Sequence, residues 1–560
     1  MRKNDVKQKD KDIIIMKPFK TLTYSTLALA TLALSSCNDW LTDDTPGTTK
    51  VSEFFTSLST AEAVANAAYV PMSWELGSTY YPEWYFGDIV SDDALKGGQD
   101  VQDGADLREL ENFKSNSDNT IVLEYYRAQW QGVQRANLAI EQIPTTRIDT
   151  LSADSTKQRN YRSRYLGEAY FMRGYYYFRL ARMFGGMPLI DYVISSSNQW
   201  KQSRKSLDET MQFIIADFKR AEELLWLKNK YSDDELGRAT KGAAQAMLMK
   251  ANLYRGDYLR NAGNEAAAQE CFKEAAKWGK EVIDSRQYSL FPNYFDNFRL
   301  ANENGRESVF EIQYAEEATS DYGGEGFTRG TMTTILQRSR SSAFGEAGWG
   351  YNRPTQNLYD EFEAGDERRD ETILTPTDDE IETPAQEIYC GDRMLNRKYG
   401  MYTDGTNGGI YKLAHATRSP KNYIQIRYAD VLLMYAEACC ESGDLTNAKE
   451  ALKQVRQRVG LPAFPYTAVI QGKQVTFADT QDDLRTAIRH ERRVELGMEG
   501  HRWFDITRWG IAKETMDNYM AGETEEAKEL YGTFQKGKHE LFPIPSKEID
   551  LSGIEQNPNW

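Results

Sequence analysis

The sequence predicts a mostly α-helical protein, in which tetratricopeptide-like helix pairs form a scaffold that carries long irregular loops and a few short strands. Three observations predict it. Long segments repeat their apolar residues at steps of three and four. Arg427 to Gly460 reads as a helix–turn–helix of 34 residues, the tetratricopeptide period. Two stretches, Trp74 to Gly98 and Ala315 to Gly409, lack periodicity and are rich in Gly, Asp, Thr and aromatic residues. Irregular stretches of that length usually carry function.

Taken in order, "TIVLEYYRAQWQGVQRANLAIEQIP" (120–144) sets Val122, Tyr125, Tyr126, Trp130, Val133, Ala136, Ile140 and Ile143 on one face and stops at Pro144. "YLGEAYFMRGYYYFRLARMFGGMPL" (165–189) is apolar on more than one face, so it is expected to lie buried between neighbours and to stop at Gly185-Gly186. "SLDETMQFIIADFKRAEELLWL" (206–227) opens with Ser206 and Glu209 in capping-box spacing. "KANLYRGDY" (250–258) and "EACCESGDL" (437–445) share Ala, four residues, then Gly-Asp. Ala251 and Ala438 would let helices approach closely, with Gly256 and Gly443 as C-caps. Residues 239–286 read as a second helix pair, and "ESVFEIQYA" (307–315) as a strand.

Composition narrows the function. The 560 residues carry a net charge of −16, with no basic stripe, which argues against a nucleic-acid partner. The apolar run Thr21–Ser36 follows Lys17 and Lys20 and is too short to span a bilayer; it reads as the core of a secretory signal. It ends in Leu34-Ser35-Ser36-Cys37, a lipobox pattern, in which small residues admit the chain to a peptidase and the Cys37 thiol takes a diacylglycerol. An ordinary secreted protein with a stray cysteine is the alternative. The other cysteines, 271, 390, 439 and 440, form no C-x-x-C pair, and vicinal Cys439-Cys440 read as buried small residues.

No cofactor motif emerges. His490-Glu491 is followed by Val494, so H-E-x-x-H is absent, and "FGEAGWG" (344–350) lacks the Lys-Ser/Thr of a phosphate loop. "TDDEIE" (377–382) could hold Ca²⁺ but reads more simply as a solvated acidic loop. In "IRHERRVELGMEGHRWFDITRWG" (488–510), Glu491, Glu495 and Glu499 repeat at four; interleaved with Arg492, Arg493, Arg502 and Arg508 they read as structural ion pairs rather than as an acid/base pair. Trp74, Tyr80, Tyr81, Trp84, Tyr85 and Phe86 crowd one short loop, and Tyr322, Phe327, Trp349 and Tyr351 make a thinner second set. Either these rings are presented to stack on sugar C–H faces, beside carboxylates that accept hydroxyl hydrogen bonds, or they pin their loops from within.

Several stretches together resemble the SusD/RagB family of Bacteroidetes outer-membrane lipoproteins: "LSSCNDWL", "GDIVSDDALKGG" (87–98), "EAYFMRGYYYFRLARMFGGMPL" (168–189), "IRYADVLLMYAEA" (426–438), "RHERRVELGMEGHRWFDITRWG" and "LFPIPSKEIDLSGIEQNPNW" (541–560). The resemblance implies a signal segment at 1–36, an N-terminal region at 37–230 and a C-terminal region with tetratricopeptide-like helices at 231–560. It further implies a non-enzymatic protein at the cell surface, anchored in the outer membrane through Cys37, that binds a glycan or another nutrient and passes it to a TonB-dependent transporter of the SusC type. Ligand residues would come from 74–86 and about 314–351, the two aromatic sets; Trp74, Tyr80, Tyr81, Trp84, Tyr85, Tyr322, Trp349 and Tyr351 are the candidates. Two other readings are a scaffold that binds protein or peptide and a surface glycoside hydrolase.

Overall fold

Helix α1 (Leu58–Tyr69) starts at Ser57, whose hydroxyl accepts the Thr60 amide in a capping box. Helix α2 (Thr120–Gln142) starts at Asn119, which accepts two backbone amides, and buries Val122, Tyr125, Tyr126, Val133 and Ala136 as the periodicity predicts. Pro144 lies in the 3₁₀ turn that follows. Helix α3 (Ser155–Phe184) has no exposed side from Phe171 to Phe184 and ends where Gly185 takes φ +80°. It begins ten residues before the predicted 165, because its first turns are polar and carry no apolar stripe. In α4 (Leu207–Leu224), the Ser206 hydroxyl accepts the Glu209 amide at 3.1 Å and the Glu209 carboxylate accepts the Ser206 amide at 2.9 Å.

Helices α5 (Lys241–Asn261) and α6 (Glu265–Asp284) form one antiparallel pair, and α7 (Tyr428–Ser442) and α8 (Leu445–Arg458) another. Gly443 caps α7 in the left-handed conformation, φ +89°. Gly256 is not a cap, contrary to expectation: α5 runs five residues past it. Its reason lies in packing, since a Cβ there would meet the Phe272 ring of α6 at 2.6 Å. Ala251 and Ala438 are wholly buried. Neighbours pack in succession, α1 on α2 and α3, then α3 on α4, α4 on α5, α5 on α6, α6 on α7, and α7 on α8 and on α9 (Gln481–Leu496). That is the layering of a helical-repeat scaffold.

The described residues are 55–560 except 101, 149, 151, 319–328, 341–346, 376–393, 524–527 and 529–531 of this computed structural model. Phe55 to Trp560 form one compact unit. Two short antiparallel sheets tie the irregular regions to the helices. Strand β1 (Ala94–Gly97) pairs with β3 (Tyr351–Pro354), Leu95 opposite Arg353; β2 (Ser308–Ile312) pairs with β4 (Tyr423–Arg427), which leads directly into α7. A hairpin of β5 (Tyr466–Ile470) and β6 (Lys473–Phe477) turns at Gln471-Gly472, both with positive φ, as a two-residue turn requires.

Helix α9 is the electrostatic centre. Glu491, Glu495 and Glu499 do form ion pairs, but with partners from elsewhere in the chain: Arg368 and Arg456 for Glu491, Arg368, Arg427 and Arg458 for Glu495, Arg427 and Lys398 for Glu499. Arg493 instead reaches Asp92, Asp93 and Glu361, and Arg502 reaches Asp92. Burial raises the cost of charging Glu495 and Glu499, yet the cations around them hold both carboxyls below their ordinary range, which is the wrong direction for a general acid. Cys271, Cys439 and Cys440 are free and buried.

Candidate functional site

The first aromatic loop leaves α1 through a 3₁₀ turn, Val70–Ser73, and doubles back in a tight hairpin. Leu76 and Tyr80 face each other across it, the Tyr81 amide donates to the Glu75 carbonyl at 2.8 Å, and the Ser78 hydroxyl at its tip donates to Glu124 of α2 at 2.7 Å. Beyond Tyr80 the chain goes inward. Residues 81–98 are buried without a break.

Of the two readings of the ring cluster, presentation at the surface and pinning from within, most of its members take the second. Tyr81, Trp84, Tyr85 and Tyr351 are core residues, 4%, 1%, 3% and 6% exposed. The Trp84 indole donates to the Thr333 hydroxyl at 3.0 Å and its ring meets Tyr85 edge-on at 4.6 Å; Phe86 packs on Tyr125 and Phe542. All these rings can turn inward because residues 85–89 wind into a helical turn pressed against Gly500. A Cβ at Gly87 would sit 2.1 Å from the Gly500 carbonyl oxygen. The polar side chains of the buried run are matched: Asp88 accepts the Gly500 amide and the Asn352 side chain, and Asp92 takes Arg493 and Arg502. Burial pushes Asp88 up to about 7; it pushes Asp92 up too, but the two guanidiniums outweigh it and hold Asp92 at about 2.

Three candidate rings remain half-exposed: Trp74, Tyr80 and Trp349. Tyr80 and Trp349 come together, ring centroids 5.4 Å apart and planes at 64°. Trp74, at the foot of the same hairpin, lies beneath the Arg135 guanidinium, 5.1 Å from its ring centre, so one of its faces is already taken. Tyr322 and Phe327, like Cys37, Cys390 and the acidic 377–382 segment, lie outside the described residues.

The mount of the Tyr80–Trp349 pair is rigid. Glu75 accepts the Thr331 and Thr333 hydroxyls at 2.8 and 2.9 Å and the Met332 amide at 2.9 Å, which clamps the hairpin to the segment after the central strand. Burial raises the Glu75 pKa against these hydrogen bonds. The Trp349 amide donates to the Ile335 carbonyl at 2.9 Å. Gly97 and Gly350, at φ +69° and +72°, bring β1 and β3 so close that a Cβ on Gly97 would meet the Gly350 carbonyl oxygen at 2.1 Å. Polar groups flank the pair: Arg340 donates to the Trp349 carbonyl at 3.2 Å and to Gln99 at 3.1 Å, and Tyr351 donates to Asp103. Sequence reasoning singled out the two loops but not their clamp; Glu75 adjoins Trp74 without standing out, and nothing marks Thr331 or Thr333.

Such a surface can offer flat apolar faces edged by hydrogen-bonding groups, the make-up of a site for a ligand with C–H faces and hydroxyls. Among the described residues no cluster of His, Cys, Asp and Glu is arranged to hold a metal ion, and no helix is long and apolar enough to cross a membrane.

Two family models match the chain and together span most of it: one described as "SusD family" at residues 306–560, the other as "Starch-binding associating with outer membrane" at 56–253. A SusD-like protein of Formosa agariphila is 28% identical, covering 97% of this chain and 100% of its own length. A SusD-like protein of Bacteroides ovatus is 26% identical over 70% of this chain and 66% of its own. Among solved structures, a laminarin-binding SusD-like protein is 26% identical with a TM-score of 0.69, covering 90% of this chain and all of its own. A surface glycan-binding protein A from Bacteroides thetaiotaomicron, solved with laminarihexaose, has the same fold at 22% identity, TM-score 0.71 and 90% of this chain, again all of its own. The mostly helical layering, the aromatic loops tied across it and these matches agree, and the chain belongs to the SusD/RagB family.

Proposed function

We propose that this protein is a non-enzymatic, cell-surface lipoprotein that holds an oligo- or polysaccharide against Tyr80 and Trp349 and passes it to a SusC-type TonB-dependent transporter. Cys37, diacylated, anchors it to the outer membrane. The observation that carries this reading is the half-exposed Tyr80–Trp349 pair on its clamped mount. A scaffold that only binds other proteins does not need two paired rings that keep part of their surface in solvent. The names of related proteins, laminarin-binding and glycan-binding, support a glycan as the ligand class. Glycoside hydrolysis is disfavoured: it needs two carboxyls flanking a sugar, whereas Glu75, beside the rings, is occupied by Thr331, Met332 and Thr333.

Calorimetry tests the reading. Trp349→Ala and Tyr80→Ala should each weaken binding of the cognate glycan by about 2 kcal/mol, roughly thirtyfold, as for a central anchor ring. Melting temperature should barely move. Full affinity in both folded variants would overturn it.

A further inference from the structure

Beside the aromatic hairpin lies a cleft of about 340 Å³, between the end of α1 and the turn that carries residues 234–238. Its size falls within the range of about 300–1,000 Å³ typical of small-molecule sites. The floor is apolar, built from Val70, Met72, Ile312 and Leu236, and Leu236 is one of the few large apolar side chains left exposed among the described residues, at 44%.

The charges around it are mostly spent within the protein. Arg238 donates to Glu62, Asn66 and Glu168, and Glu235 takes Arg164. What faces a ligand is therefore neutral or acidic. Asn66 gives its carbonyl oxygen to Arg238 and keeps its amide N–H groups as donors. Ser73 donates to the Val70 carbonyl at 3.0 Å and keeps its oxygen as an acceptor. Asp234 adds an exposed carboxylate. An anionic ligand would be repelled, and a purely apolar one would strand these polar groups. A neutral ring with hydroxyls on its rim and C–H groups on its face satisfies both.

The chain segments that wall the cleft lead into the aromatic hairpin. One wall runs Met72-Ser73 into Trp74-Glu75, and the other runs Ile312-Gln313 into Tyr314, whose hydroxyl donates to the Ser73 carbonyl at 3.3 Å. Met72 and Ile312 also line a small interior cavity together with Trp74, Glu75 and Tyr314. From this we infer that the cleft is a second carbohydrate subsite, taking further units of the same neutral glycan chain that the ring pair holds; the inference rests on the glycan reading above. The protein then measures ligand length as well as ring shape.

The test uses laminari-, malto-, cello-, xylo- and manno-oligosaccharides, each as a ladder from disaccharide to octasaccharide, titrated into the full mature chain. For the series that binds, affinity should keep rising to the longest members. Asp234→Ala and Leu236→Asp alter exposed side chains, so the fold should survive. Each should weaken the longest ligand by about tenfold and leave the shortest binding member within about twofold. A merely structural lesion would weaken both alike. An affinity that plateaus early, or long-ligand binding untouched by either variant, overturns the cleft assignment while Trp349→Ala still reports on the ring pair. If no series binds, the glycan reading falls and the cleft falls with it.

Discussion

Trp84 and Thr333 are 249 residues apart and buried together, the indole N–H donating to the threonine hydroxyl at 3.0 Å while that hydroxyl donates to Glu75 at 2.9 Å. A ring that reads in the sequence as a candidate for stacking on sugar is instead a core residue behind the Tyr80–Trp349 pair. Trp84→Ala should leave a large cavity and cost about 3–5 kcal/mol of stability. Glycan binding should persist below the lowered melting point. Circular dichroism melts paired with calorimetry check this, and an unchanged melting temperature would show that the ring is not part of the core.

Glu495 sits among Arg368, Arg427 and Arg458, all essentially without solvent contact. Glu495→Gln keeps the shape and removes the charge, leaving three cations under-compensated. The expected loss is about 3–5 kcal/mol, the range for breaking a buried pair. Urea denaturation measures it. Wild type and variant should alike release no reducing ends from polysaccharides; turnover by the wild type that the folded variant lacks would make Glu495 catalytic.

His490 lies between Glu361 at 2.8 Å and Glu363 at 3.3 Å. Burial alone would lower its pKa, but the hydrogen bond to Glu361 and the nearby Glu363 carboxylate outweigh burial and raise it to about 9, from 6.5. A raised folded-state pKa means that the charged imidazolium stabilises the fold fully below pH 6.5 and that this contribution fades as pH rises through about 9. Lys250 and Lys398, pushed by burial to about 8, act in the opposite sense. The informative quantity is therefore the difference between wild type and His490→Gln: large below pH 6.5 and shrinking toward pH 9. A pH-independent difference would mean that His490 has the same pKa in the fold as in the unfolded chain.

Labelling cells with a fatty-acid analogue should tag the wild-type protein, and Cys37→Ala should abolish both the tag and membrane retention. Equal tagging of the variant would overturn the lipid anchor.

Local signals were legible in the sequence and long-range ones were not. The stripe of α2, the Ser206–Glu209 box and the Gly443 cap depend on neighbours within a few residues, and periodicity and propensity report such neighbours. Gly256 misled because its absent side chain serves the Phe272 ring of the next helix rather than a helix end. The acidic repeat of α9 was readable as ion-paired, but its partners, Arg368, Arg427, Arg456 and Arg458, come from other segments and carry no mark of that role. The same limit governs the site. Its two loops stood out by ring content, yet which rings stay at the surface is decided by the pairing of β1 with β3 and by Glu75 clasping Thr331 and Thr333.

The hydrogen bond from Arg493 to Asp93 spans 400 positions of the chain. The loop that backs the ring pair cannot be locked until α9 is available, near the end of synthesis. Contacts that distant make folding slow, because a very long loop must close before they reward it. The surface location proposed above requires export, and for a chain threaded through a translocation pore this delay would be useful. The leading segment would stay pliable while the rest crosses, and the molecule would set only once its final quarter had arrived.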